Sequence, residues 1–176
     1  MKIGFFGGTF NPPHLGHLLA ATYALKIFHL DEIWLAPVYH HPFAKKMIAF
    51  EHRKAMCDIL VEKMSPPFRV TDIEKYLNHE GKTLFTLRNL QEKHPEHHFS
   101  LIIGSDLKDQ LKSWNHADLL TKEFPVLIVP RGVQNDPSSI PNISSTNIRA
   151  DQYTKDQIQK VVTPEIYDYM IEKKIY

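Results

Sequence analysis

Apolar residues in this chain gather into short dense runs, separated by longer stretches in which they recur at helical spacing. Residues 2–6 form one run, broken by Gly7-Gly8, and residues 32–36 a second, closed by Pro37. Residues 68–73, 99–103 and 126–129 complete the set; four of the five residues in 99–103 are apolar and bulky, the mark of a strand buried on both faces. Between these runs the spacing predicts helices over 15–28, 51–64, 83–93, 107–114 and 117–122. Three more are predicted over 146–153, 155–162 and 164–174, the last with Thr163 as N-cap and Pro164 in its first turn. Strands alternating with helices predict an α/β fold, a doubly wound parallel sheet with right-handed crossovers and a helical C-terminal tail.

The sequence of 176 residues carries no linker, repeat or low-complexity tract, and the expectation is one domain over residues 1–176. Basic and acidic residues number 21 and 20, a net charge of +1, which removes the basic footprint of a protein that grips nucleic acid. No apolar run approaches the ~18 residues of a membrane span, and the N-terminus lacks a signal-peptide pattern. The single cysteine, Cys57, has no partner and reads as a core residue, so a reducing, cytoplasmic setting is expected. Four of the seven glycines fall in the first sixteen residues, a concentration of backbone freedom in one place.

That place is Gly7-Gly8-Thr9-Phe10-Asn11-Pro12-Pro13-His14-Leu15-Gly16-His17, which follows a predicted strand and precedes a predicted helix. It is neither a Walker loop nor the dinucleotide fingerprint. Paired glycines nevertheless let the backbone approach an anion, and the helix start offers unpaired N–H groups. His14 and His17, three residues apart, share a face of the first turn and can point at one ligand. The plain alternatives are that these histidines cap the helix or bind zinc, and zinc is the weaker reading because no Asp or Glu occurs between Met1 and Leu30.

A second constellation, Ile143-Ser144-Ser145-Thr146-Asn147-Ile148-Arg149, places N-cap hydroxyls at another helix start with Arg149 three residues beyond Thr146. Two such turns suggest a polyphosphate ligand. A plain helix start is the alternative.

The first run resembles the signature of the HxGH nucleotidyltransferases and the second their other phosphate motif. The chain is most similar to the nicotinate-mononucleotide adenylyltransferase branch through Ile103-Gly104-Ser105-Asp106 with Leu111 and Trp114, through Val129-Pro130-Arg131, and through its C-terminal Tyr169-Met170 followed six residues on by Tyr176. The resemblance implies a Rossmann-like fold and transfer of AMP from ATP to nicotinate mononucleotide with release of pyrophosphate. It implies that His14, His17 and Arg149 act on the phosphates, and that Gly7, Gly8, Thr9, Phe10, Ser145 and Thr146 complete the ATP site. It also implies that Lys45, Thr83, Thr86, Gly104, Asp106, Trp114 and Arg131 receive the mononucleotide, with Asp106 on a ribose hydroxyl and Trp114 stacked on the pyridine ring. Mg2+ would be held mainly by the ATP phosphates, with no metal site on the protein. The loop after the second strand departs from the family's Pro-Pro-His-Lys: here it reads Pro37-Val38-Tyr39-His40-His41-Pro42-Phe43-Ala44-Lys45-Lys46, and either lysine can meet a phosphate.

Other expectations are plainer. His97 and His98 read as exposed, His40 and His41 as lining the site mouth, Arg131 as facing nucleotide or solvent, and Arg53 as a structural partner of a carboxylate. Residues 38–47 are placed to act as a lid. Two other functions compete: the same chemistry on nicotinamide mononucleotide or another phosphate-bearing acceptor, and a nucleotide sensor without turnover. Self-association is left open.

Overall fold

The computed structural model describes residues 1–40, 47–62, 64, 67–77, 82–132, 139–150 and 152–176. Five parallel strands, β1 (Lys2–Gly8), β2 (Glu32–Pro37), β3 (Phe68–Val70), β4 (His98–Gly104) and β5 (Val126–Val129), lie in the order β3-β2-β1-β4-β5. Their crossovers carry α1 (Leu15–Ile27), α2 (Phe50–Glu62), α3 (Thr83–Lys93) and α4 (Ala117–Glu123), and the tail carries α5 (Ser145–Arg149), α6 (Lys155–Val161) and α7 (Pro164–Glu172). Two apolar layers result. One joins Ile33, Leu35 and Ile102 to α1, α2 and the tail helices; the other joins Phe5, Trp34, Leu101 and Ile103 to α3 and α4.

Three expected elements are shorter or different. The third strand stops at Val70, and Ile73 opens a 3-10 turn (Ile73–Tyr76) instead. The helix expected over 107–114 is two 3-10 turns, Ser105–Leu107 and Gln110–Ser113, whose residues are mostly exposed and offer no continuous apolar stripe to hold a longer helix. The helix expected over 146–153 spans only Ser145–Arg149. Thr163 caps α7 as read from the sequence, its hydroxyl accepting the Ile166 N–H at 3.3 Å.

Chain order reverses beside β1, and there the sheet opens. β1 pairs with β4 only as far as Phe5 and Leu101, while it follows β2 to Gly8 and β4 follows β5 to Gly104. Beyond Phe5 a crevice therefore separates the carboxyl ends of β1 and β4, the position at which doubly wound sheets bind ligands.

Candidate active site

The loop after β1 is held from below and from both sides. Phe10 adopts φ 45°, a left-handed conformation uncommon for a bulky residue, and buries its ring completely against Phe6 (5.8 Å) and the edge of the His17 imidazole (4.9 Å). Arg53, buried in α2, reaches across to donate from Nη1 to the Thr9 carbonyl at 2.9 Å and from Nε to the Ile48 carbonyl at 3.1 Å. Among the described residues its hydrogen bonds go to backbone carbonyls rather than to the expected carboxylate, and one of those carbonyls belongs to the loop.

His14 is the N-cap of α1 and His17 is its third helical residue. The His14 N–H donates to His17 Nδ1 at 3.1 Å, so an imidazole fills the reciprocal role that Glu or Gln plays in a capping box. Because Nδ1 accepts, the neutral His17 ring carries its proton on Nε2. The two rings stack with centroids 3.7 Å apart. Burial holds the His14 pKa down at about 3, with the Arg131 charge adding to the effect. Burial, the neighbouring His14 and Arg131 likewise hold His17 well below the usual imidazole range. Both rings are therefore neutral hydrogen-bonding groups near pH 7, and the fixed positive charge of the site is carried by arginines.

Gly16 explains why glycine stands between the histidines. A Cβ there would lie 3.0 Å from His14 Nδ1 and 3.3 Å from the Cβ of Ile143, so its absence lets the late segment press onto α1. That segment is tied to the loop. Ser145 Oγ donates to the Pro12 carbonyl at 2.8 Å, and Arg149 Nη1 donates to the Asn11 carbonyl and, at 3.0 Å, to that of Ser145. Arg149 Nη2 approaches Thr146 Oγ1 at 3.3 Å. Among the described residues these contacts engage three of the five guanidinium N–H donors. Five residues of helix give α5 little dipole; what the segment can offer an anion is the Arg149 guanidinium and the hydroxyls.

Across the crevice, Ser105 Oγ accepts the Arg131 N–H at 3.0 Å and donates to the Arg131 carbonyl at 3.3 Å. Arg131 itself donates to Asp106 Oδ2 at 3.3 Å and to the Ile143 carbonyl at 2.6 Å. It thus connects the β4 end with the segment leading to α5 and faces the site. The Asp106 carboxylate folds back over Gly104, where a Cβ would meet Oδ1 at 2.2 Å. Trp114 is partly buried and packs against the α3/α4 apolar layer. Thr83 opens α3, partly exposed. Thr86 is fully buried, and its hydroxyl donates to Glu74 Oε1 at 3.2 Å. The other carboxyl oxygen, Oε2, accepts the Tyr39 N–H at 3.2 Å, and burial pushes the Glu74 pKa up to about 7. His40 is exposed beside Tyr39; His41, Lys45, Lys46 and most of the expected lid lie outside the described residues.

A cytidylyltransferase-like family model matches residues 5–151. A Myxococcus xanthus protein named "Probable nicotinate-nucleotide adenylyltransferase" is 39% identical over 153 residues, 85% of this chain and 80% of that protein. One of the same name from Anaeromyxobacter sp. (strain K) is 36% identical over 183 residues, 99% of this chain and 96% of its own. The chain belongs to the nicotinate-nucleotide adenylyltransferase family. Its fold is that of the Plasmodium falciparum nicotinic acid mononucleotide adenylyltransferase complexed with NaAD, at TM-score 0.79 and 22% identity over 99% of this chain and 97% of that one.

Several residues that brace the candidate site carry no local signal. Arg53, Glu74 and Tyr176, whose hydroxyl donates to Asn11 Oδ1, lie far from either motif in sequence. Arg53 stands within an ordinary helical stripe, and only its complete burial reveals it. Buried Cys57 is core as expected.

Proposed function

We propose that the protein transfers AMP from ATP to nicotinate mononucleotide, giving deamido-NAD and pyrophosphate for NAD biosynthesis in the cytoplasm. The observation that carries this reading, beside the family, is the docking of Ser145 and Arg149 onto the carbonyls of Pro12 and Asn11, which makes one surface of two phosphate motifs.

In this reading the mononucleotide phosphate attacks the ATP α-phosphorus in line. That nucleophile is already anionic, so the protein needs no general base; its task is alignment and charge stabilisation. The backbone of Gly7, Gly8, Thr9 and Phe10 lets the triphosphate approach, and His14 and His17 donate hydrogen bonds to phosphate oxygens as charge shifts to the leaving pyrophosphate. Ser145, Thr146 and Arg149 hold the β- and γ-phosphates. Arg131 adds a second cation at the crevice, and Gly104 and Asp106 receive a ribose. Trp114 covers the pyridine ring, with Thr83 beside the nicotinate end, buried Thr86 behind it on Glu74, and Lys45 toward its phosphate.

The donor chemistry around the loop fits magnesium delivered on the substrate. The chain from Met1 to Leu30 has no carboxylate and Asp106 pairs with Arg131, so these residues would leave such an ion to phosphate oxygens and water. When bound it neutralises phosphate charge, and the arginines and imidazoles do the positioning.

Pyrophosphate release from ATP with a panel of acceptors tests the proposal. Release with nicotinate mononucleotide well above that with nicotinamide mononucleotide, flavin mononucleotide or phosphopantetheine is expected. Preference for another acceptor would move the substrate, and no release with any would favour a sensor.

A further inference from the structure

At the amino end of β4, opposite the crevice, three potential ligands converge on the turn that follows α3. We propose that His94, Glu96 and His97 bind one zinc-class divalent cation, at a site separate from the adenylyl-transfer centre.

Glu96 Oε1 lies 3.8 Å from His94 Nδ1 and 3.3 Å from His97 Nε2. One ligand atom from each residue can be chosen with all three within 4.8 Å of one another. Zinc bonds of about 2.0–2.1 Å in a tetrahedron separate neighbouring ligand atoms by roughly 3.3–3.4 Å. One edge of the triangle already has that length, and rotation of the exposed Glu96 side chain and the half-exposed His94 ring closes the others. Without a cation the geometry is poorly used, because 3.8 Å is too long for a hydrogen bond between His94 and the carboxylate.

The turn is preorganised. Gln91 Nε2 donates to the carbonyls of His97 at 2.8 Å and His94 at 3.4 Å, and the His97 N–H closes the turn onto the His94 carbonyl at 3.0 Å. Both rings rest edge-on against buried Trp34, at 5.1 and 6.1 Å, and stack 5.5 Å apart with planes 8° from parallel, so the half-exposed His94 ring has to turn before both nitrogen lone pairs point at one ion. Two imidazoles and one carboxylate select zinc, nickel, cobalt or copper over magnesium or calcium. Three protein ligands leave a fourth position for water. The β4 strand separates this turn from Gly104 by roughly 20 Å, so occupancy reports on the turn and not on nucleotide.

The sequence assigns His97 to solvent beside His98. Instead His98 is exposed while His97 is largely buried against Trp34, and it is this packing that aims Nε2 at Glu96.

Titration of the chelator-treated protein with Co2+, read as the visible absorption of tetrahedral cobalt, and with Zn2+ by calorimetry tests the site. Binding of one equivalent is expected, with affinity reduced tenfold or more in His97→Ala and in Glu96→Gln, the scale that loss even of an outer partner produces. His98→Ala is expected to bind like the unaltered protein. Absence of one-equivalent binding, or affinity in the His97 and Glu96 variants equal to that of the unaltered protein, would overturn the proposal. Should His97→Ala fail to fold, Glu96→Gln decides, because Glu96 is an exposed residue.

Discussion

Ser145 Oγ donates a 2.8 Å hydrogen bond to the carbonyl of Pro12, closing 133 residues of chain onto a single contact. With Arg149 on the Asn11 carbonyl, it converts two motifs at opposite ends of the sequence into one surface. Ser145→Ala removes the hydroxyl and leaves that carbonyl short of a partner, a change worth about 1 kcal/mol. Arg149→Lys is more severe, since an ammonium cannot reproduce contacts to Asn11, Ser145 and Thr146 while facing a phosphate. Steady-state kinetics should show a several-fold rise in KM for ATP for the first variant. The second should lose kcat as well, with both proteins folded by circular dichroism.

His17→Ala should lower turnover by about two orders of magnitude, the usual cost of losing one donor to a developing negative charge. The same change removes the acceptor for the His14 N–H, so a stability loss of about 1 kcal/mol is also expected. Kinetics and thermal melts separate the two effects. Equal turnover in a folded variant would remove His17 from the chemistry.

The imidazoles also set a pH signature. The folded pKa of His14, about 3, lies below its ordinary value of 6.5, so the fold favours the neutral ring. The stability this confers is present above pH 6.5 and is lost as pH falls toward 3. Imidazole NMR signals of His14 and His17 should therefore not titrate between pH 5 and 8 in the free protein. A midpoint near 6.5 for either would contradict the burial argument.

Glu74 runs the other way. Its folded pKa of about 7 lies above its ordinary 4.5, so the fold holds the proton more tightly than the unfolded chain does. The associated stability is fully present below pH 4.5 and falls as pH rises through 7, by up to roughly 3 kcal/mol. Glu74→Gln should flatten that slope in urea melts across pH 5 to 8, and it should be relatively more stable at pH 8 than at pH 5. Since Glu74 joins Tyr39 to Thr86, the variant should also change KM for the mononucleotide more than KM for ATP.

Much of this arrangement is legible in sequence, for physical reasons. Buried parallel strands are dense apolar runs, so β1, β2, β4 and β5 stand out, and Pro37, Pro125 and Pro130 mark their limits. The two helix-start turns are visible because small, hydroxyl and imidazole residues cluster within one turn each. What sequence hides is long-range. Arg53 and Thr9 are 44 residues apart and Tyr176 and Asn11 are 165 apart, and nothing in either neighbourhood forecasts the contact. Short helices are also overestimated. Residues 107–114 look periodic, yet their exposed positions settle into 3-10 turns because little apolar surface is there to be covered.

A crystal structure with a non-hydrolysable ATP analogue and magnesium tests the central claim most directly. The imidazoles of His14 and His17 and the guanidinium of Arg149 are all expected within hydrogen-bond distance of oxygens of one triphosphate, lying in the crevice beyond Phe5. A triphosphate bound elsewhere, or touching only one of the two segments, would contradict it.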